Sequence, residues 1–391
     1  MKIIHCADLH LDSKMTSNLD REKARETKNE LLLTYKRMID YANKEGITDI
    51  IFAGDLFDTK NVSKTAMYTV RDSILNNPHI NFYYLKGNHD AICFVDELEE
   101  KIENLYLFSD MWTSYEISDN VSITGVELLE SNKDSIYNTL VLDNNKINIV
   151  VLHGQETEHN MKDKAEIISL KNLRNKGIDY LALGHVHEYM MERLDARGIY
   201  AYPGCLEGRG FDECGEHGFI VLDIDEDKKN INAEFIPFAY RLIHTVKIDV
   251  TDVKSTDKVN ESAVKDNVND NNKDNYNHQV TTDDVSKKIR QRLEEDYYDE
   301  KDLMKIVLTG EVDFESEINT GLLVKEFESS FYFLKIYDET KMKVDYDSFA
   351  LDESLKGEFV RLVMSKKDLS EEEKAIIVRY GIKALTMEEI E

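Results

Sequence analysis

The sequence predicts an α/β protein, and three observations carry the prediction. Across residues 1–240, short β-branched or aromatic runs alternate with amphipathic helical stretches, the order expected of strands layered against helices. The 391 residues are 41% hydrophobic, enough for a sizeable core, and at ~100–200 residues per domain they divide into two or three domains. Only three prolines occur, so breaks between elements rest on Gly, Asn and Asp.

Taken in order, residues 2–7 form an apolar run and read as a buried strand. Residues 21–44 read as a helix, because Leu31, Tyr35, Met38, Ile39 and Ala42 fall on one face at spacings of three and four. A strand at 49–53 follows, then a helix that starts after Ser63, a side chain suited to an N-cap, and runs through Met67, Val70 and Ile74. Further strands are read at 81–85, 121–125, 147–152, 180–183, 199–202, 219–223 and 233–236, with helices at 96–107 and 165–175.

Residues 241–345 read as a smaller α+β domain, from strand-like RLIHTVKIDV, helix-like SKKIRQRLEEDYY and strand-like MKIVLTGEVD. It is interrupted at 252–280 by a segment with seven Asn, five Asp, four Lys and no apolar period, expected to be a disordered insertion. From 346 to 391 short, charged, amphipathic helices are expected.

Composition also excludes several classes. No run of 18 uncharged apolar residues occurs, and the opening MKIIHCA is too short for a signal peptide, so neither a spanning nor an exported protein is expected. Cys6, Cys93, Cys205 and Cys214 lack a CxxC spacing, which argues against a disulfide framework or thiolate zinc and for the reducing cytoplasm. The net charge of −28, with no basic block, repels phosphate backbones, so nucleic acid could approach only with the help of bound cations or a basic partner.

The informative polar residues stand where apolar runs end. Asp8 and His10 follow the first strand, Asp55 the second, and Asn88, His89 and Asp90 the third, while His153 closes IVVL and His185 and His187 follow YLAL. Ligands in open α/β sheets collect at the carboxyl ends of strands, so these residues should meet at one edge. Imidazole with carboxylate and amide oxygen, and no sulfur, suits a pair of divalent transition metals: manganese, iron or zinc. A carboxylate can bridge two ions about 3.5–4 Å apart, and Asp55, in the middle of the set, is the natural bridge. The spacing of Asp8 with His10, and of His185 with His187, places each pair on one face of an extended segment.

In this order DLH, GDLFD, GNHD, HG and GHVH resemble the five motifs of the calcineurin-like metallophosphoesterase superfamily, over residues 1–240. HCADLHLD, GDLFDT and the later YPG resemble the SbcD-type DNA-repair exonucleases, and GCLEGRGFDECGEHGF a Firmicute-type subgroup of them. The resemblance implies a four-layer sandwich, two mixed sheets flanked by helices, with the smaller α+β domain after it. It implies two ions, Mn²⁺ foremost: one on Asp8, His10, Asp55 and His187, the other on Asp55, Asn88, His153 and His185. His89 would donate a proton or steady the scissile phosphate, with Asp90 holding its other nitrogen. Asp58, a candidate substrate-binding residue, stands where archaeal and eukaryotic relatives usually have a histidine, a departure from the pattern by which those relatives position substrate.

The activity so implied is a metal-dependent nuclease on DNA ends in repair. The partners implied are DNA, an SbcC-like coiled-coil ABC ATPase and a second copy of the chain, without a membrane. Two other readings stand beside it: a stand-alone phosphoesterase on nucleotides or phosphoproteins, and a scaffolding subunit without catalysis. In the loop 204–215 and just beyond it, Arg209 and His217 are the residues to test as phosphate binders. His5, His79, His159, His217, His244 and His278 match no motif, and Cys6 reads as a buried small hydrophobe. In the tail, Leu355, Phe359, Leu362 and Val363, then Ile376, Ile377 and Tyr380, could line a groove for a partner helix.

Overall fold

The computed structural model describes every residue except 16–18, 59–61, 91–101, 157–166, 252–279, 314–315, 344–348, 350–351 and 386–391. The Asn/Asp-rich segment, apart from its last residue, Val280, and Cys93 therefore lie outside the described residues. The chain divides into two compact units, Met1–Ile243 and His244–Glu391.

In the first unit the elements run β1 (Lys2–Cys6), α1 (Arg21–Glu45), β2 (Asp49–Ala53), α2 (Lys64–Leu75), β3 (Asn81–Leu85), β4 (Leu105–Leu107), β5 (Thr113–Glu116) and β6 (Val121–Gly125). Then come α3 (Ile136–Thr139), β7 (Ile147–His153), β8 (Gln155–Glu156), β9 (Ile167–Ile168), α4 (Leu170–Leu173) and β10 (Tyr180–Gly184). The unit closes with β11 (Met190–Arg193), β12 (Ile199–Tyr202), β13 (Gly218–Asp225) and β14 (Asn230–Pro237). Two mixed six-stranded sheets result, ordered β14-β13-β1-β2-β3-β4 and β11-β12-β10-β7-β6-β5. Caps fix the helix ends: Asp20 accepts from the N–H groups of Glu22 and Lys23 to start α1, Gly46 ends it at φ +66°, and Ser63 caps α2.

Strand alternation sorts the apolar residues into three layers of core. On one face of the first sheet Ile4, Cys6, Ile50, Phe52, Phe82 and Tyr84 pack with Leu31, Tyr35 and Met38 of α1 and Val70 and Ile74 of α2. Its other face, through Ile3, Ala7, Ile51 and Ala53, meets Ile149, Val151, Tyr180 and Ala182 of the second sheet. That sheet in turn covers α3 and α4 with Val150, Leu152, Leu181 and Leu183. The order helix, sheet, sheet, helix is the four-layer sandwich. His5 sits in the inter-sheet layer and ties the sheets together through the hydroxyl of Tyr180, 2.8 Å from Nδ1.

Two helices read from the sequence are different in the structure. Of 96–107, the part outside 91–101 includes β4, whose Leu-Tyr-Leu pairs parallel with β3, so an open sheet edge overrides a weak helical pattern. Of 165–175, Ile167–Ile168 pairs with β8 and only Leu170–Leu173 makes a helical turn, closed by Asn175 at φ 61°.

The second unit begins in β15 (Ile243–Asp249) and contains α5 (Thr282–Glu295), β16 (Leu303–Thr309), β17 (Glu311–Asp313), α6 (Thr320–Phe327), β18 (Phe333–Asp338) and β19 (Lys341–Lys343). Val285 and Ile289 of α5 and Leu323 and Phe327 of α6 pack on the β15-β16-β18 sheet. Last come α7 (Leu355–Met364) and α8 (Glu371–Leu385), joined by Val360, Val363, Val378 and Ile382. Val363 thus belongs to the core of this helix pair, with Phe359 packed against it, whereas Leu355, Leu362, Ile376, Ile377 and Tyr380 are exposed. Among the described residues no helix is long and apolar enough to cross a membrane.

Candidate metal centre

Parallel pairing brings the strand ends together. β1 and β2 run side by side, and the ladder continues into the following loops: the N–H groups of Asp8, His10 and Leu11 donate to the carbonyls of Gly54, Asp55 and Leu56, each at 3.0 Å. In the second sheet Gly184 is paired with His153, so His185 emerges beside it. The N–H of His185 donates to both carboxylate oxygens of Asp8 at 2.9 Å, joining the sheets at this edge.

The backbone at this edge is strained. Asp8 (φ 51°), His10 (φ 43°), Asp55 (φ 51°) and His185 (φ 99°) all lie in the left-handed region, at roughly 1–3 kcal/mol each for non-glycine residues. Glycine supplies the clearance around them. A Cβ on Gly54, itself at φ +95°, would lie 2.0 Å from His153 Nδ1, and one on Gly87 would lie 2.2 Å from Asp55 Oδ1.

Two groups of donors converge. Asp8, His10 and His187 each place a ligand atom within 4.8 Å of the others, and His10 Nε2 faces His187 Nε2 at 3.0 Å. Asp8, Asp55 and His153 make the second group, where Asn88 Oδ1 lies 3.0 Å from His153 Nε2 and 3.4 Å from His185 Nδ1. Asp55 Oδ2 stands between them, 3.8 Å from His10 Nε2 and 3.4 Å from His153 Nε2. His10, Asp58 and His89 form a third grouping of potential ligands. The cluster runs from buried (Asp8, His10, Asp55, His153) through half-buried (His185, His187) to exposed (Asn88, His89).

This donor set fits divalent cations. Burial raises the Asp8 carboxyl to about 7 although neighbouring imidazoles oppose it, and burial lowers His10 to about 4. Burial also works against a charged His153, but Asp55 and Asp8 outweigh it and raise the imidazole to about 9. Two buried carboxylates this close call for positive charge between them. His153 Nδ1 lies 2.9 Å from the Ala53 carbonyl, which keeps a proton on Nδ1 and leaves Nε2 as the nitrogen that would give up its proton to an ion.

The sequence profile of the calcineurin-like phosphoesterase family matches residues 1–189. The first unit carries a calcineurin-like phosphoesterase domain. Bacillus subtilis YhaO, described as an uncharacterized metallophosphoesterase, is 28% identical over 268 residues, 65% of this chain and 64% of its own length. The match thus spans less than two thirds of that relative. The SbcD component of the nuclease SbcCD from Staphylococcus epidermidis is 26% identical over 316 residues, 71% of this chain and 78% of its own. The DNA double-strand break repair protein Mre11 of Sulfurisphaera tokodaii is 27% identical over 243 residues, 58% of this chain and 60% of its own.

The remaining residues singled out in the sequence take varied places around the phosphoesterase cluster. His89 is 45% exposed, and its Nδ1 lies 3.3 Å from the carbonyl of Asp58. Asp90 does not hold that ring as expected: its carboxylate accepts the N–H groups of Leu56, Phe57 and Gly87 and so binds the GDLFD loop to the GNHD loop. Asp58 and Arg209, both singled out for substrate, pair with each other at 3.2 Å. His217 is buried, with Nε2 3.0 Å from the Glu213 carbonyl and Nδ1 3.3 Å from Cys205 Sγ, which leaves both nitrogens engaged.

Sequence reasoning passed over three residues that hold the phosphoesterase loops. Glu213 Oε1 lies 2.7 Å from His187 Nδ1. Asp12 accepts from the N–H and hydroxyl of Ser63 and pairs with Lys28, and the Tyr202 hydroxyl donates to the Gly154 carbonyl while accepting from the N–H of Glu156. The second aspartate of DLHLD and the tyrosine of YPG were legible as motif positions; Glu213 carried no signal beyond lying four residues after Arg209.

Proposed function

We propose that this protein is a two-metal phosphodiesterase acting on DNA ends in repair, with manganese as its metal and a coiled-coil ATPase as its partner. The observation that carries the reading is the placement of Asp55 Oδ2 between His10 and His153, within reach of both groups of donors. Asp8, His10, Asp55 and His187 would hold one ion, and Asp55, Asn88, His153 and His185 the other. Bound there, the pair would supply Lewis-acid activation of water and neutralise charge on the phosphoryl oxygens. Asp55 and Asp8 set the negative field that draws in cations, and the His185 N–H steadies Asp8. Substrate approaches from the side of Asn88 and His89, the exposed end of the cluster, and His89 gives its proton to the leaving oxygen.

Two relatives whose names state nuclease or break-repair roles support the DNA reading. The charge of −28 opposes it, and four positive charges from two ions, with a basic surface on the partner, answer that objection. The exposed apolar positions of α7 and α8 suit an ATPase coiled coil. With manganese the isolated protein should degrade DNA ends weakly and lose activity steeply as salt rises. A cognate ATPase should increase cleavage, and truncation at Tyr346 should remove that increase while leaving hydrolysis of a small chromogenic phosphodiester intact. Efficient cleavage of small phosphodiesters, no cleavage of DNA and no effect of truncation would replace this reading with a stand-alone phosphoesterase.

A further inference from the structure

Behind two of the candidate ligand imidazoles stands a second set of charges. His10 Nδ1 lies 3.1 Å from Asp58 Oδ1, and His187 Nδ1 lies 2.7 Å from Glu213 Oε1. Arg209 joins the two carboxylates: Nη1 donates to Asp58 Oδ1 at 3.2 Å, Nη2 to Glu213 Oε1 at 2.6 Å, and Nε and the backbone N–H to Glu213 Oε2 at 3.3 and 2.8 Å. The same Nη2 lies 3.1 Å from His187 Nδ1. His187 Nδ1 thus has an acceptor and a donor within reach and can use only one. Donating to Glu213 puts the proton on Nδ1 and leaves the Nε2 lone pair facing His10. Accepting from Arg209 puts the proton on Nε2, which then cannot bind an ion.

We infer that Glu213, held in place by Arg209, is a positioning residue that selects the ion-binding tautomer of His187, with Asp58 steadying His10 through the same guanidinium. The inference rests on the reading of His187 as an ion ligand. It assigns Arg209 to the protein's own carboxylates rather than to substrate phosphate.

The test uses the full chain with histidine labelled in nitrogen-15. In metal-free wild type, above the pH at which the ring titrates, long-range proton–nitrogen correlations should show His187 protonated at Nδ1; protonation at Nε2 overturns the inference. Glu213→Leu should move the proton to Nε2 and weaken Mn²⁺ binding by calorimetry about 10–100-fold at one of two sites. Glu213→Gln keeps an acceptor oxygen and should restore both readouts. Adding Arg209→Met to Glu213→Leu removes the competing donor and should recover part of the affinity. Unchanged tautomer and affinity in a folded Glu213→Leu protein contradicts the inference. Wild type that takes up no Mn²⁺ would overturn the two-metal reading, while the tautomer measurement would still decide the role of Glu213.

Discussion

The two units put buried carboxylates to different uses. In His244–Glu391, Asp284 completes a capping box with Thr281, and Asp302 accepts from the N–H of Asp299 and lies 3.1 Å from His244. Both serve local structure. In Met1–Ile243, Asp8 and Asp55 are buried facing each other and three imidazoles, on backbone that L-residues rarely adopt. Among the described residues, all eight non-glycine positive-φ positions fall in this first unit. In the second unit the two terminal helices leave Leu355, Leu362, Ile376 and Tyr380 open to solvent. Strain with facing charges suits the proposed ion site, and on the same reading the exposed apolar positions of the two terminal helices are where a partner would bind.

The largest effect should come from breaking the first of these. Asp55→Asn should lower turnover by more than about 10³-fold, beyond the ~10–100-fold of an outer partner, and reduce occupancy of both ions. Metal analysis showing two ions and full activity in this variant would remove Asp55 as the bridge. His89→Gln separates chemistry from ion binding within the same cluster: turnover should fall about 10²-fold or more with metal content retained. Loss of metal along with activity would make His89 a ligand, as its place beside His10 and Asp58 permits.

Glu207 is the control inside the first unit, buried like Asp8 but outside the cluster, accepting from the Thr34 hydroxyl and the N–H of Tyr240. Burial raises its carboxyl to about 7. Because the folded value exceeds the unfolded one of roughly 4.3, its contribution is complete at acid pH and is lost as pH rises through about 7. Glu207→Gln should flatten that decline, stabilise the protein by up to about 3 kcal/mol above it in chemical denaturation, and leave ion binding unchanged. An unaltered pH profile would show that Glu207 ionises normally. The smallest intrinsic effect belongs to the second unit. Leu362→Asp and Ile376→Asp, on exposed positions, should shift stability by no more than about 0.5 kcal/mol and spare phosphodiester hydrolysis while abolishing stimulation by an ATPase. Retained stimulation would move the partner surface elsewhere.

What was legible in the sequence follows from which interactions are local. The nine strands read from apolar runs and the two long helices recur with ends shifted by no more than three residues, because alternation, spacing and caps at Asp20 and Ser63 act within a few residues. Edge strands such as Thr113–Glu116 and Met190–Arg193 bury little and exist through their neighbours, so their sequences carry no clear period. The candidate ligands were visible because each follows a buried run. Glu213, Arg209 and Asp90 reach the cluster through contacts 22 to 151 residues away in the chain, besides their local ones, and no spacing encodes those distant contacts.

The claim that this edge holds two ions is tested most directly by anomalous diffraction from crystals soaked in Mn²⁺. Two peaks should appear, one beside Asp8, His10 and His187, the other beside Asn88, His153 and His185, with Asp55 touching both. No peak at this edge, or a single ion that leaves Asp55 unbound, would contradict the account.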